Sequence, residues 1–113
     1  MSQRLRKFAP YLKHLHKVNN KNRIAWLKAN CSKDFIYCIC ECAKNILKGK
    51  VPLNKTHKKL LSKRKVALRK LTTKKLSLRK KQKIIQTGGF LGAILAPIVS
   101  ALGGLLGGVF GGS

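Results

Sequence analysis

The chain has 113 residues, 44% of them hydrophobic, and sets 26 Lys and Arg against two acids, for a formal net charge of +24. That length holds at most one small domain with appendages. Asp34 and Glu41 are the only side-chain carboxylates, so a carboxylate pair for general acid–base work is not expected. No nucleophile–base constellation takes its place, and the chain reads as non-enzymatic.

All 26 cations lie at or before Lys83, and residues 84–113 carry no charge. The first part is a polycation whose self-repulsion opposes compaction unless anions neutralise it. The second part, which holds nine of the ten glycines, needs lipid, another protein or its own core. The first 30 residues are basic and lack an unbroken apolar run, so no secretory signal is expected. Four cysteines without such a signal point to free thiols in a reducing compartment.

In chain order, Leu5, Phe8, Leu12 and Leu15 recur at steps of three and four, the stripe of an amphipathic helix. Pro10 places the start of that helix near Ala9, with the proline in its first turn. Asn19, Asn20 and Asn22 mark a break. Ile24, Trp26 and Leu27 give a short second helix to about Asn30. Ser32 is the expected cap of a third helix, with Asp34 in its first turn. Phe35, Ile39, Cys42, Ala43 and Ile46 form its main apolar face and Ile36, Cys40 and Leu47 a second one. That makes it the best candidate for a buried centre. Gly49 is its expected C-terminal cap, and Pro52 stops continuation.

Residues 55–83 hold 14 Lys or Arg and no acid. Leu60, Leu61, Leu68 and Leu71 leave a thin apolar seam, and Thr72-Thr73 reads as a joint between two basic helices, with charge all round. Leu76, Ile84 and Ile85 give the second of these a weak stripe. Glycines 103, 104, 107, 108, 111 and 112 then step by four along the tail. The expected organisation is a small helical region at 1–50, a basic helical segment at 51–87 and a hydrophobic Gly-rich tail at 88–113. The fold class is all-α, a small bundle of short helices.

The basic block is the strongest functional signal. Lys55, Lys58, Lys59, Lys63, Arg64, Lys65, Arg69, Lys70, Lys74, Lys75, Arg79, Lys80, Lys81 and Lys83 are the candidate nucleic-acid-binding residues. Neutralising phosphates releases counterions, so binding of this kind is sequence-independent and salt-dependent. Lys63-Arg64-Lys65 with Arg79-Lys80-Lys81 also has the character of a nuclear import signal. In the tail, Phe90, Leu91, Ile94, Leu95, Ile98, Leu102, Leu105 and Leu106 are the candidates for membrane insertion or self-association. As one helix, residues 88–112 span roughly 36 Å, enough for a hydrocarbon core, and the glycine steps suit close helix packing there. Nine glycines and Pro97 weaken such a helix in water. Docking onto another protein remains the other reading of the tail.

Cys31, Cys38, Cys40 and Cys42 match no usual zinc spacing, and buried thiols are the better reading; no metal or other cofactor is expected. His14, His16 and His57 suggest no ligand set. Trp26 reads as the anchor of a small core, with base stacking beside Arg23 and Lys28 as the alternative.

A dense basic stretch, then Gly88-Gly89-Phe90-Leu91, then an Ile/Leu/Ala/Pro-rich tail resembles the precursor of the adenovirus late core protein mu. It is also similar to the small core-like proteins of adintoviruses and Maverick/Polinton elements, whose longer members share a segment like Val51-Pro52-Leu53-Asn54 before Lys/Arg/Leu-rich helices. The resemblance covers residues 50–106. It implies a virion component that condenses double-stranded DNA, reaches the host nucleus and contacts capsid proteins. It also implies protease cleavage after Gly88-Gly89, although Gln86 stands where that family has Met, Ile or Leu. The alternative function is a membrane-active or membrane-anchored protein whose tail enters lipid.

Overall fold

The computed structural model describes residues 3–87 and 89–105, the last five of these as backbone. Among the described residues there are seven α-helices and no strand. The radius of gyration is 13.1 Å, the value a folded chain of this length reaches.

α1 (Gln3–Lys17) buries Leu5, Phe8, Ala9, Leu12 and Leu15 on one face. It begins before Pro10 rather than at it, which corrects the expected start. Pro10 cannot donate to the Arg6 carbonyl, but both residues sit on the exposed side, where water can take the freed acceptor. Burial of the opposite face outweighs the lost bond. α2 (Asn20–Asn30) starts where the Asn19 side chain accepts the Asn22 N–H at 2.8 Å. Its carbonyl-rich junction with α1 is closed by Arg23. The Arg23 guanidinium donates to Leu15 O at 2.8 Å and Val18 O at 2.9 Å, acceptors that a helix C-terminus leaves unsatisfied.

α3 (Lys33–Leu47) is capped by Ser32, whose hydroxyl accepts the Phe35 N–H at 3.1 Å. Gly49 ends it at φ +73°. Gly49 N–H donates to Ile46 O and Lys50 N–H to Asn45 O, the paired bonds of a Schellman ending. Both caps fall where the sequence places them. α3 is the central helix, packed by α1 and by the basic helices that follow.

The basic segment forms three helices, not two: α4 (Lys55–Ser62), α5 (Lys65–Thr72) and α6 (Leu78–Ile85). The unexpected break at Lys63-Arg64 turns the chain so that Leu61 can be buried while Leu68 and Leu71 reach α3. Asn54 and Ser77 cap α4 and α6. Charge does not run all round these helices. Each keeps one narrow apolar edge inward, at Leu61, at Leu68 and Leu71, and at Ile85. Leu60 is not part of that edge and stays 41% exposed.

α7 (Phe90–Leu105) packs on α1 and α4 and touches α6. Phe90, Leu91, Ile94, Leu95 and Ile98 are all at most 2% exposed. One continuous core therefore draws on residues 5–46, 51–85 and 90–98 alike. The tail between Phe90 and Ile98 contributes to its own protein's core. No single described helix is long and apolar enough to cross a membrane; α6 with Phe90–Ser100 passes such a test only as a pair bent by 83°.

Candidate polyanion-binding surface

Burying the apolar edges of α4, α5 and α6 forces their cations outward. Of the 14 candidate residues, 12 are exposed, Arg64 is half-buried and Lys81 is buried. Lys55, Lys58 and Lys59 lie on α4, Arg69 and Lys70 on α5, Lys74 and Lys75 in the turn after it, and Arg79, Lys80, Lys81 and Lys83 on α6. Lys63, Arg64 and Lys65 form the corner between α4 and α5. Lys63, Arg64 and Lys70 border a hollow of about 270 Å³ floored by Ile84 and Phe90.

The structure also assembles cations that the sequence scatters. Arg4, Lys44, Lys48 and Lys50 meet Lys81 around a cleft of about 530 Å³ between α3, α5 and α6. Glu41 is the one carboxylate on its wall. Lys44 and Lys48 are four residues apart at the end of α3, which is the only local signal of this grouping.

The other acid, Asp34, is held by Arg4 Nε at 3.0 Å and Lys7 Nζ at 3.2 Å. Hydrogen bonding to Arg4, then to Lys7, lowers the Asp34 pKa below its ordinary value, and the same contact raises that of Arg4. The aromatic cluster behind them is built around the buried Phe35, with Tyr11 at its exposed margin. Phe35 meets Phe8 at 5.4 Å and Trp26 at 5.2 Å between ring centroids, and Tyr11 lies 5.8 Å from Trp26. Trp26 thus anchors the packing of α1, α2 and α3, with one edge partly exposed.

The four cysteines are free; Cys38 and Cys42 are buried, and Cys31 and Cys40 half-buried. A hydrogen bond with Cys38, then burial, pushes the Cys42 thiol well up, and burial raises Cys31 and Cys40. Raised thiols of this kind hold little thiolate, so Cys31, Cys40 and Cys42 are not poised nucleophiles. No group of three or more metal-ligating side chains occurs among the described residues.

At the start of the tail, Gly89 adopts φ +81° and its N–H reaches Asn20 Oδ1 at 3.4 Å. Gly88 and Leu106 lie outside the described residues, as do the side chains of Leu102 and Leu105. The remaining tail candidates, Phe90, Leu91, Ile94, Leu95 and Ile98, are core residues rather than an exposed stripe. No protein-family model, curated protein or solved structure matches this chain.

Proposed function

We propose that this protein binds double-stranded DNA without sequence preference and condenses it, as a core component of a viral or transposon particle that acts in the virion and the host nucleus. The carrying observation is a net charge of +24 on a folded body that packs most of its large apolar residues into one core. One of its two acids, Asp34, is already engaged by Arg4 and Lys7. The long axis is 37 Å. Duplex DNA presents about 22 phosphate charges over that length, close to the charge of one protein molecule. Cations on α1, α3 and α4–α6 exceed what one duplex can contact. The surplus allows bridging to a second duplex, which is condensation rather than simple binding. The resemblance of residues 50–106 to viral core proteins supports the same reading.

The full chain should retard random-sequence duplex in gel-shift assays at low salt. With six to ten phosphate contacts, log K should fall against log salt with a slope of about −5 to −9. Replacing Lys55, Lys58 and Lys59 together by Gln should flatten that slope by roughly 3 if all three reach phosphates. A slope near zero, or no binding, overturns the proposal.

The membrane reading requires α7 to leave the core, exposing five buried side chains at about 1.5–3 kcal/mol each. Liposome dye release that needs residues 90–105 and is indifferent to added DNA would favour it.

A further inference from the structure

The cleft between α3, α5 and α6 has a feature that a merely solvated basic face lacks. Lys81 lines it and is only 9% exposed, the sole buried charged residue among those described. The two described ion pairs are both those of Asp34. The Lys81 stem is packed, and its ammonium is not among the buried polar atoms left without a partner, so the charge faces the cleft, where an anion entering from the open side can meet it. Around Lys81 stand Arg4, Lys44, Lys48 and Lys50, against the single carboxylate Glu41. Arg4 is partly committed to Asp34, and Glu41 has an interaction of its own. Lys44, Lys48 and Lys50 lie close together in sequence at and just after the end of α3, while tertiary packing brings Arg4 from α1 and Lys81 from α6 to join them.

We propose that this cleft is a binding site for a cluster of phosphate groups, distinct from the diffuse basic surface. Four of its five cations lie outside residues 55–83. Its volume of about 530 Å³ falls in the range of pockets for compact ligands, roughly 300–1,000 Å³. The occupant carries several phosphates within a few ångströms of one another. Two sources supply that chemistry: a free polyphosphorylated small molecule, or adjacent phosphates of a nucleic-acid strand. Occupancy neutralises the cation cluster and ties α6 to α3.

The test uses the full chain and inorganic tripolyphosphate as probe, with binding measured by calorimetry and by thermal shift at physiological salt. Three variants are compared with the wild type. One is Lys81→Met, which keeps the apolar stem. The second is Lys44→Gln with Lys48→Gln, which leaves the buried position intact should Lys81→Met fail to fold. The third, as a charge-matched control, replaces Lys58 and Lys59 by Gln. Each cleft variant should weaken tripolyphosphate binding about tenfold or more, and the control less than about twofold. Lys81→Met should also melt at a higher temperature than the wild type without ligand. Equal losses in cleft and control variants, or no saturable binding to the wild type, overturn the site. Duplex DNA then separates the sources. If the cleft pair weakens DNA binding far more than the control pair, strand phosphates occupy the cleft. If the two pairs weaken DNA binding equally while only the cleft pair loses tripolyphosphate, the occupant is a free polyphosphate. Non-specific DNA binding in the wild type survives failure of the cleft, so the two proposals fail separately.

Discussion

α7 and the α4–α6 segment follow one another in the chain and solve opposite problems. α7 has no charge and buries Phe90, Leu91, Ile94, Leu95 and Ile98 almost completely. α4–α6 carry 14 cations over 55–83 and bury only Leu61, Leu68, Leu71, Ile85 and Lys81. Neither is self-sufficient. Short helices with a narrow apolar edge are marginal alone, and an apolar helix in water requires cover. Packed on the same core, each supplies what the other lacks. The apolar tail offsets the repulsion that the basic helices impose, and α4 and α6 cover part of the apolar helix.

The largest expected effect comes from separating the two. Five nearly buried tail side chains contribute up to about 8–15 kcal/mol of apolar transfer energy. Whole domains of this size are stable by roughly 5–15 kcal/mol. A chain ending at Thr87 should therefore lose its cooperative thermal transition and most of its helical circular dichroism. A truncated chain that melts like the full one would break the comparison, because it would make the tail an appendage after all. A truncated chain that refolds on adding duplex DNA would sharpen it, by showing that an external polyanion can substitute for the tail.

Much of the architecture was legible because it rests on local chemistry. Ser32 and Gly49 bound α3 through side-chain and backbone bonds that span six residues or fewer, and the 3.6-residue recurrence of Phe35, Ile39, Cys42 and Ile46 marks its buried face. What the sequence hid is tertiary. Ser77 caps α6, but the Lys63-Arg64 break has no side-chain cap to announce it. The start of α1 was misplaced because a proline penalty is local, whereas the burial that overrides it depends on α3 and α7. The tail's place in the core was invisible for the same reason: an apolar run looks alike whether lipid or protein covers it. The Arg4, Lys44, Lys48, Lys50 and Lys81 cleft spans 77 positions between its outermost members, and no run of basic residues betrays it.

A smaller effect is expected where α7 meets the junction of α1 and α2. A Cβ at Gly92 would lie 2.6 Å from Arg23 Nη1. Arg23 is not free to swing away, because its Nε and Nη2 hold Leu15 O and Val18 O. Gly92→Ala should then destabilise by about 1–3 kcal/mol in denaturant unfolding. In an Arg23→Gln background the obstacle is gone and the same change should cost far less. The non-additivity is the diagnostic. Additive losses would mean that the tail's approach is not set by this contact, and that the docking of α7 is looser than its burial implies.

The smallest effect concerns the charged exterior, where the comparison expects little from any single ion pair. Asp34 is the exception worth measuring, since a chain with two acids has few groups through which acid can act. Its pKa is lowered in the folded state by hydrogen bonds from Arg4 and then Lys7. The unfolded carboxyl titrates near pH 4. Its contribution to stability is thus fully present above about pH 4 and is lost as pH falls through the lower folded value. Protonation also leaves Arg4 and Lys7 unopposed on a body already strongly positive, which acts in the same direction. Melting temperatures taken from pH 7 down to pH 2 should fall below about pH 4 in the wild type, and the Asp34→Asn protein should melt lower at neutral pH with a flatter profile. If both proteins trace the same curve, the Arg4–Asp34–Lys7 contact contributes nothing to holding α1 on α3, and their association rests on Leu5, Phe8, Phe35 and Ile39 alone.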